Sequence, residues 1–307
     1  MDELRDSSPL AGDWQSLRDQ VREDGYVFLR DLADRELALA AGRGGLAALQ
    51  RAGWLAPGAD PERAAILSPP RPTDQARAWR DAGYRSFAIS EAFHRLAYQP
   101  AVEQVMGLLM GAGAFCYPVK VARVVYPAAM VPLHGGMFVH QDLPVVGVPD
   151  MFTVWMPLMD IPYELGSLCI RPGSQIGPLA APTVIDPHEP GWATADFRAG
   201  DLLVFHCLTV HAALPNQLPR LRLSGECRWQ LAADPVPSRL VYGPDHDGTE
   251  LWSRLFGRKG WWHPVPEGLR IVERSELPEP SRIRPSRYVD AAVGPPPLWP
   301  RFDVVPH

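Results

Sequence analysis

Cys116-Tyr117-Pro118-Val119-Lys120-Val121-Ala122-Arg123-Val124-Val125-Tyr126 is where the chain changes character. Before it, apolar residues recur at helical spacing; from it onward they come in short β-branched runs. Residues 117–126 read as a strand that Pro127 ends, and residues 151–158, 168–170, 201–205 and 221–230 read the same way. Gly166, Pro172-Gly173 and Gly200 punctuate them. Several short strands with turn signals predict an antiparallel sandwich or barrel. The lack of strand–helix alternation argues against a doubly wound parallel sheet.

Upstream, Trp14, Leu17 and Val21 predict a helix that Gly25 stops, followed by a strand over residues 26–29. Asp34 is placed to cap a second helix beginning near Arg35, which Gly42, Gly44 and Gly45 are expected to interrupt before it resumes towards Leu49. Those glycines lie inside a helical stretch rather than directly after a strand, so they do not fit a dinucleotide-binding loop. Residues 56–75 read as a loop. Ser90 fits an N-cap for a helix carrying Phe93, Leu96 and Ala97, and Pro100 starts another with Val102, Val105, Met106 and Leu109 on one side. Beyond residue 236 the chain is proline-rich and contains Trp252, Trp261, Trp262 and Trp299. Disordered segments lack aromatics, so this extension is expected to pack on the core or on a partner subunit. The expected class is mainly β with flanking helices (α+β). One domain over residues 1–307 divides into a mainly helical part (1–115), a strand-rich core (116–235) and a Pro/Trp-rich extension (236–307).

The chain has 307 residues, 46% hydrophobic and 21% charged, as in an ordinary globular protein. A net charge of -5 argues against a nucleic-acid partner. No apolar run is long enough to span a membrane, and the acidic first residues do not form a signal peptide, so a cytoplasmic location is expected. Cys116, Cys169, Cys207 and Cys227 form no C-x-x-C pair and read as reduced, buried small hydrophobes. Among 30 basic residues only Lys120 and Lys259 are lysine, and the chain is rich in Ala, Gly and Pro, which suggests a GC-rich bacterial genome.

Chemistry gathers at Val139-His140-Gln141-Asp142. If this run is a strand, His140 and Asp142 point the same way, because side chains alternate faces. His211, downstream of residues 200–205, is a candidate third ligand. Two histidines and one carboxylate with open positions form the face used by non-haem iron(II) oxygenases. A lone His-x-Asp also arises by chance on a surface. His134 has no acid two residues on, His206 has the wrong parity to join His211, and His188, His246 and His263 fall in Pro- or Asp-rich loops. Arg222, between Leu221 and Leu223, gives an apolar strand a cation suited to a carboxylate in a two-pronged geometry. The alternative places Arg222 in solvent with Arg220 and Arg228.

Further pieces are Arg22-Glu23-Asp24-Gly25-Tyr26-Val27, Asp142-Leu143-Pro144, residues 166–174 and Gly200-Asp201-Leu202-Leu203-Val204-Phe205. In this order and spacing the chain resembles the phytanoyl-CoA dioxygenase family of iron(II)/2-oxoglutarate oxygenases. The resemblance implies a double-stranded β-helix (jelly-roll) core, with His140, Asp142 and His211 as iron ligands. It also implies that Arg222 binds the far carboxylate of 2-oxoglutarate and that Trp155 lines the co-substrate pocket. Lys120 lies where the family often has another pocket residue, although a lysine can equally cover apolar surface with its stem. Thr153, on the face of Trp155, is a candidate hydrogen-bond partner of the co-substrate. Where some relatives have a serine that helps bind the carboxylate, this chain has Ala213. The intact Asp142 disfavours halogenation, which needs that ligand position vacated.

The expected reaction is hydroxylation of an unactivated C–H bond in a small molecule of natural-product metabolism. It uses iron(II), 2-oxoglutarate and dioxygen and releases succinate and carbon dioxide. The same cofactors also support desaturation, epoxidation or ring formation. A zinc hydrolase with these three ligands and a non-catalytic small-molecule-binding barrel are the readings from other classes. The protein is expected to be a monomer or homodimer, with the N-terminal part, residues 56–90 and the tryptophan-rich extension as candidate lids.

Overall fold

The computed structural model describes residues 1–67, 81–131, 138–180, 182–242, 266–277, 279 and 286–289. The competing histidines His134, His246 and His263, residues 68–80 of the expected lid segment and all four tryptophans of the extension lie outside these residues.

The helices form largely where expected. Helix α1 (Trp14–Asp24) starts at Asp13, whose carboxylate accepts from the Gln15 and Ser16 amides, and ends at Gly25 with φ 81°. Helix α2 (Arg35–Arg51) is capped by Asp34 but runs unbroken through its glycines. Their role is close approach. A Cβ on Gly42 would lie 2.0 Å from the Leu158 carbonyl oxygen, and one on Gly45 would meet the Phe87 ring at 2.7 Å. Gly44, by contrast, faces open space. Helices α3 (Ala82–Ala88), α4 (Glu91–Arg95) and α5 (Pro100–Met110) complete the N-terminal part. Ser90 makes no side-chain capping bond, while Pro100 occupies the first turn of α5.

Short strands β1 (Asp2–Glu3) and β2 (Tyr26–Leu29) precede the main β region. It contains β3 (Ala114–Cys116), β4 (Val121–Val125), β5 (Phe138–Val139), β6 (Phe152–Pro157) and β7 (Leu168–Ile170). It continues with β8 (Thr183–Val184), β9 (Ala193–Thr194), β10 (Leu202–His206), β11 (His211–Ala213) and β12 (Arg222–Leu231). The expected strand over 117–126 is shortened to β4, Val121–Val125, and β3 ends before it at Cys116, because Pro118 in the gap cannot donate to a ladder. The larger sheet runs β2-β10-β6-β12-β3, with β4 also on β12; the smaller runs β1-β9-β7-β11. A His140–His211 bridge joins β11 to the two-stranded β5-β8 sheet.

Period-two alternation sorts the side chains. Leu168, Ile170 and Ala213 join the main core between the sheets, while Cys169 and Ala212 face a second cluster with Val139, Ile185, Trp192, Val210 and Leu214. On β12 the odd positions Leu223, Cys227, Trp229 and Leu231 are apolar core, and Gly225 lies under Phe93 of α4. The helices therefore cover this outer face of the larger sheet. All four cysteines are buried and free. Among the described residues, no helix is long and apolar enough to cross a membrane.

The described parts of the extension dock on the core. Strand β13 (Val236–Pro237) pairs in parallel with β14 (Ile271–Val272), and helix α7 (Ser238–Tyr242) follows β13. Further on, the Leu208 amide donates to His206 Nδ1 (3.2 Å), which leaves the His206 proton on Nε2, facing Ser286 Oγ at 2.9 Å. Ser286 in turn donates to Asp150 (2.7 Å), which also pairs with Arg287 at 2.7 Å. Tyr288 packs edge-on against Phe152.

The paired glycines give opposite signs for one substitution. Gly44→Ala, exposed in mid-helix, should stabilise by about 1 kcal/mol. Gly42→Ala should destabilise by about 1–3 kcal/mol, because backbone must move. Urea unfolding of the two variants checks this, and a stabilising Gly42→Ala would refute the close-approach account.

Candidate metal centre

His140 and His211 face each other across the bridge and exchange both main-chain hydrogen bonds, each 3.0 Å. Their ring centroids lie 4.2 Å apart. Each ring donates from Nδ1 to a carbonyl two residues back, His140 to Phe138 (2.8 Å) and His211 to Thr209 (3.0 Å). A carbonyl can only accept, so both Nδ1 atoms carry the proton and both Nε2 lone pairs are left for a ligand.

Asp142 reaches the same spot by a different route from the one its spacing suggested. The strand stops at Val139, and Asp142 has helical φ/ψ (-72°, -26°) at the start of the short helix α6 (Leu143–Val146). A turn, not strand alternation, brings its carboxylate beside the imidazoles. Gln141 points away, donating to the Leu208 carbonyl (2.5 Å) and accepting from the Ala180 amide (2.9 Å). One ligand atom each from His140, Asp142 and His211 falls within 4.8 Å of the others. This donor set, with both histidine tautomers fixed, fits a first-row divalent ion such as iron(II).

The larger sheet supplies the surroundings. Residues directly opposite on antiparallel strands share a face. Thr153 lies opposite Arg228 and Phe205, Trp155 opposite Glu226 and Leu203, and Arg123 opposite Ser224. The interior face of β12 is therefore Arg222, Ser224, Glu226, Arg228 and Gln230, all buried. Thr153 Oγ1 donates to Asp142 Oδ2 (2.5 Å), and the Arg228 guanidinium lies alongside the same carboxylate, 3.3 Å from Oδ1. Phe205 stacks obliquely on His211 at 4.5 Å.

Arg222 is 2% exposed. It donates to the Gly166 carbonyl (3.1 Å) and Ser224 Oγ (2.6 Å), with its guanidinium 5.7 Å from the Trp155 ring centre. Among the described residues no carboxylate forms an ion pair with it. Burial pushes Arg222 down to about 10, so it stays charged at neutral pH. Burial raises the Asp142 carboxyl, but Arg228, the two histidines and Thr153 outweigh it and hold the group well below the usual carboxylate range. His211 is pushed down to about 4, by burial and then by His140.

Lys120 is not brought to this centre. Its ammonium sits on the helix side of the sheet, donating to Tyr98 Oη (3.0 Å) and the Tyr117 carbonyl (2.9 Å). It precedes β4 by one residue, and its neighbour Val121 stands opposite interior Glu226, so alternation turns Lys120 outward. Nor does its amine reach water: the residue is 1% exposed. Arg228, grouped with solvent-facing arginines from sequence, is buried beside Asp142; Glu226 and Arg123 were not singled out. The alternation of polar even and apolar odd residues over 222–231 was the available signal.

A family model described as phytanoyl-CoA dioxygenase (PhyH) matches residues 21–224, more than half of the chain. The chain belongs to this family. Two relatives are 1-deoxypentalenic acid 11-beta-hydroxylases of Streptomyces. The one from Streptomyces exfoliatus is 25% identical over 251 residues, covering 74% of this chain and 85% of the relative. The one from Streptomyces arenae is 27% identical over 231 residues, covering 69% and 78%. The non-heme monooxygenase ThoJ is similar in fold, with a TM-score of 0.50 at 19% identity over 71% of this chain and 78% of ThoJ. As a phytanoyl-CoA dioxygenase family member with hydroxylase relatives, the protein is a non-haem iron oxygenase of the 2-oxoglutarate-dependent type.

Acid should loosen the metal-free protein in a defined window. Burial pushes His206 down to about 3 and, with His140, His211 to about 4. Both protonate near pH 6.5 once unfolded, so the unfolded chain binds more protons and stability falls as pH drops from about 6.5 towards 3. The urea midpoint measured across this range should decline, and His206→Gln should flatten the decline. An unchanged slope in that variant would refute the account.

Proposed function

We propose that the protein hydroxylates an unactivated C–H bond of a small molecule in bacterial natural-product metabolism, using iron(II), 2-oxoglutarate and dioxygen. The observation that carries this reading is the pairing of two features within one interior. A His140/Asp142/His211 face has both Nε2 atoms available, and Arg222 is a buried guanidinium with no acidic partner among the described residues. A zinc hydrolase would have the first feature and no use for the second.

When bound, iron with 2-oxoglutarate and dioxygen supplies the oxidising power, with succinate and carbon dioxide as by-products. The chain's own part is binding and orientation. His140, Asp142 and His211 hold the metal on one face. Arg222 takes the far carboxylate of the co-substrate in a two-pronged salt bridge. Ser224 fills the place that Ala213 leaves: its oxygen accepts from Arg222, so its hydroxyl proton is free to donate to that carboxylate. Trp155 lines the co-substrate site, and its buried Nε1–H has no partner among the described residues. Thr153 serves Asp142 rather than the co-substrate. The two facing sheets form a double-stranded β-helix, and the relatives' printed activity supports a hydroxylation on a small-molecule scaffold.

Anaerobic addition of iron(II) and then 2-oxoglutarate should give a weak visible charge-transfer band. Absence of the band, together with tight zinc retention, would sink the oxygenase reading. Asp142→Ala should abolish both band and succinate release. Arg222→Met should raise the half-saturating 2-oxoglutarate concentration by roughly 10–100-fold, the loss of a charge-assisted bond. Unchanged half-saturation would remove Arg222 from the co-substrate site.

A further inference from the structure

Asp142 ends a series of four alternating charges, the other three being Arg228 and Glu226 on β12 and Arg123 on β4. Arg123 forks Glu226, Nε to Oε1 at 2.7 Å and Nη2 to Oε2 at 2.8 Å. Arg228 Nη2 stands 3.4 Å from Glu226 Oε2 and 3.3 Å from Asp142 Oδ1, while its Nε lies 3.4 Å from Asp142 Oδ2. Arg228, Glu226 and Asp142 are each less than a tenth exposed.

A buried chain of ions is a poor source of stability, since apolar residues of similar volume usually serve as well. A cation beside a metal ligand is also electrostatically unfavourable for a second cation. What a guanidinium adds is shape: its planar fork spans both oxygens of a carboxylate, which an ammonium cannot do. Thr153 secures only Oδ2, and a carboxylate held at one oxygen can still rotate about its Cβ–Cγ bond.

We propose that Arg228 is a positioning residue for Asp142. Its fork sets the plane of the carboxylate presented to the metal, and Glu226, clamped by Arg123, holds Arg228 at that setting while offsetting its charge. The four charges sum to zero, so the centre gains rigidity without net repulsion of a metal ion. The inference rests on the reading of Asp142 as a metal ligand.

The test is anaerobic titration of the full chain with iron(II), followed by 2-oxoglutarate, for Arg228→Gln and Arg228→Lys. Removing a group that orients a ligand typically weakens metal affinity by about 10–100-fold. Arg228→Gln should weaken iron(II) binding by about tenfold or more and displace the charge-transfer band, while Arg228→Lys, with the charge but not the fork, should fall between it and wild type. Native affinity and a native band in both variants would overturn the proposal. If melting of the metal-free protein shows Arg228→Gln unfolded, Arg228→Lys decides alone: native affinity overturns the proposal, and weaker binding with a displaced band supports it. A wild-type chain that gives no band removes the ligand assignment itself, so the two failures are distinguishable.

Discussion

The centre depends on one closely spaced pair of main-chain hydrogen bonds, between His140 and His211. A pair that exchanges both bonds fixes register, and register fixes which face each side chain takes. A slip of one residue would turn one ring out of the centre. The bridge is also where the two-stranded β5-β8 sheet meets the smaller sheet. The two histidines come from segments about 70 residues apart in sequence, and this backbone pairing, not the side chains, sets their spacing.

Around that pairing the two sheets contribute different things. The smaller sheet and the adjoining β5-β8 pair supply imidazoles. The larger sheet supplies charge and hydroxyls: Thr153 and Arg228 at Asp142, and Arg222 with Ser224 further along β12. The turn between His206 and His211 couples them. The Gly25 carbonyl accepts from Thr209 Oγ1, Gln141 reaches the Leu208 carbonyl, and His206 engages Ser286. Three remote parts of the chain therefore converge on the loop that delivers His211.

Much of this was legible in the sequence because local signals agreed with the fold. Asp13 and Gly25 bound α1, Pro100 opens α5, and the runs around 152–157, 202–206 and 222–231 form the central strands. The three residues of the candidate centre were visible as a pattern, although the route of Asp142 was not: a turn and a strand both put residues i and i+2 on one side here. The glycines of α2 looked like breaks because their packing against Leu158 and Phe87 is long-range. Lys120 misled because its face is set by the long-range pairing of its neighbour Val121 with Glu226. Arg228 and Glu226 were missed because charges on a strand suggest solvent, and only the pairing with β6 and β4 shows that face to be interior.

The longest strand raises a point about where the protein can be divided. The family match ends at residue 224, three residues into β12, which runs to Leu231 and lies between β6 and the two strands β3 and β4. A fragment trimmed to that boundary would leave the larger sheet with an unpaired inner edge. It would strip Glu226 and Arg228 from the interior and expose the ladder positions of β3. The segment that is recognisable by descent and the segment that can fold by itself are therefore different lengths. The second must reach at least through β12, and the Ser286–Asp150 clasp carries it further still.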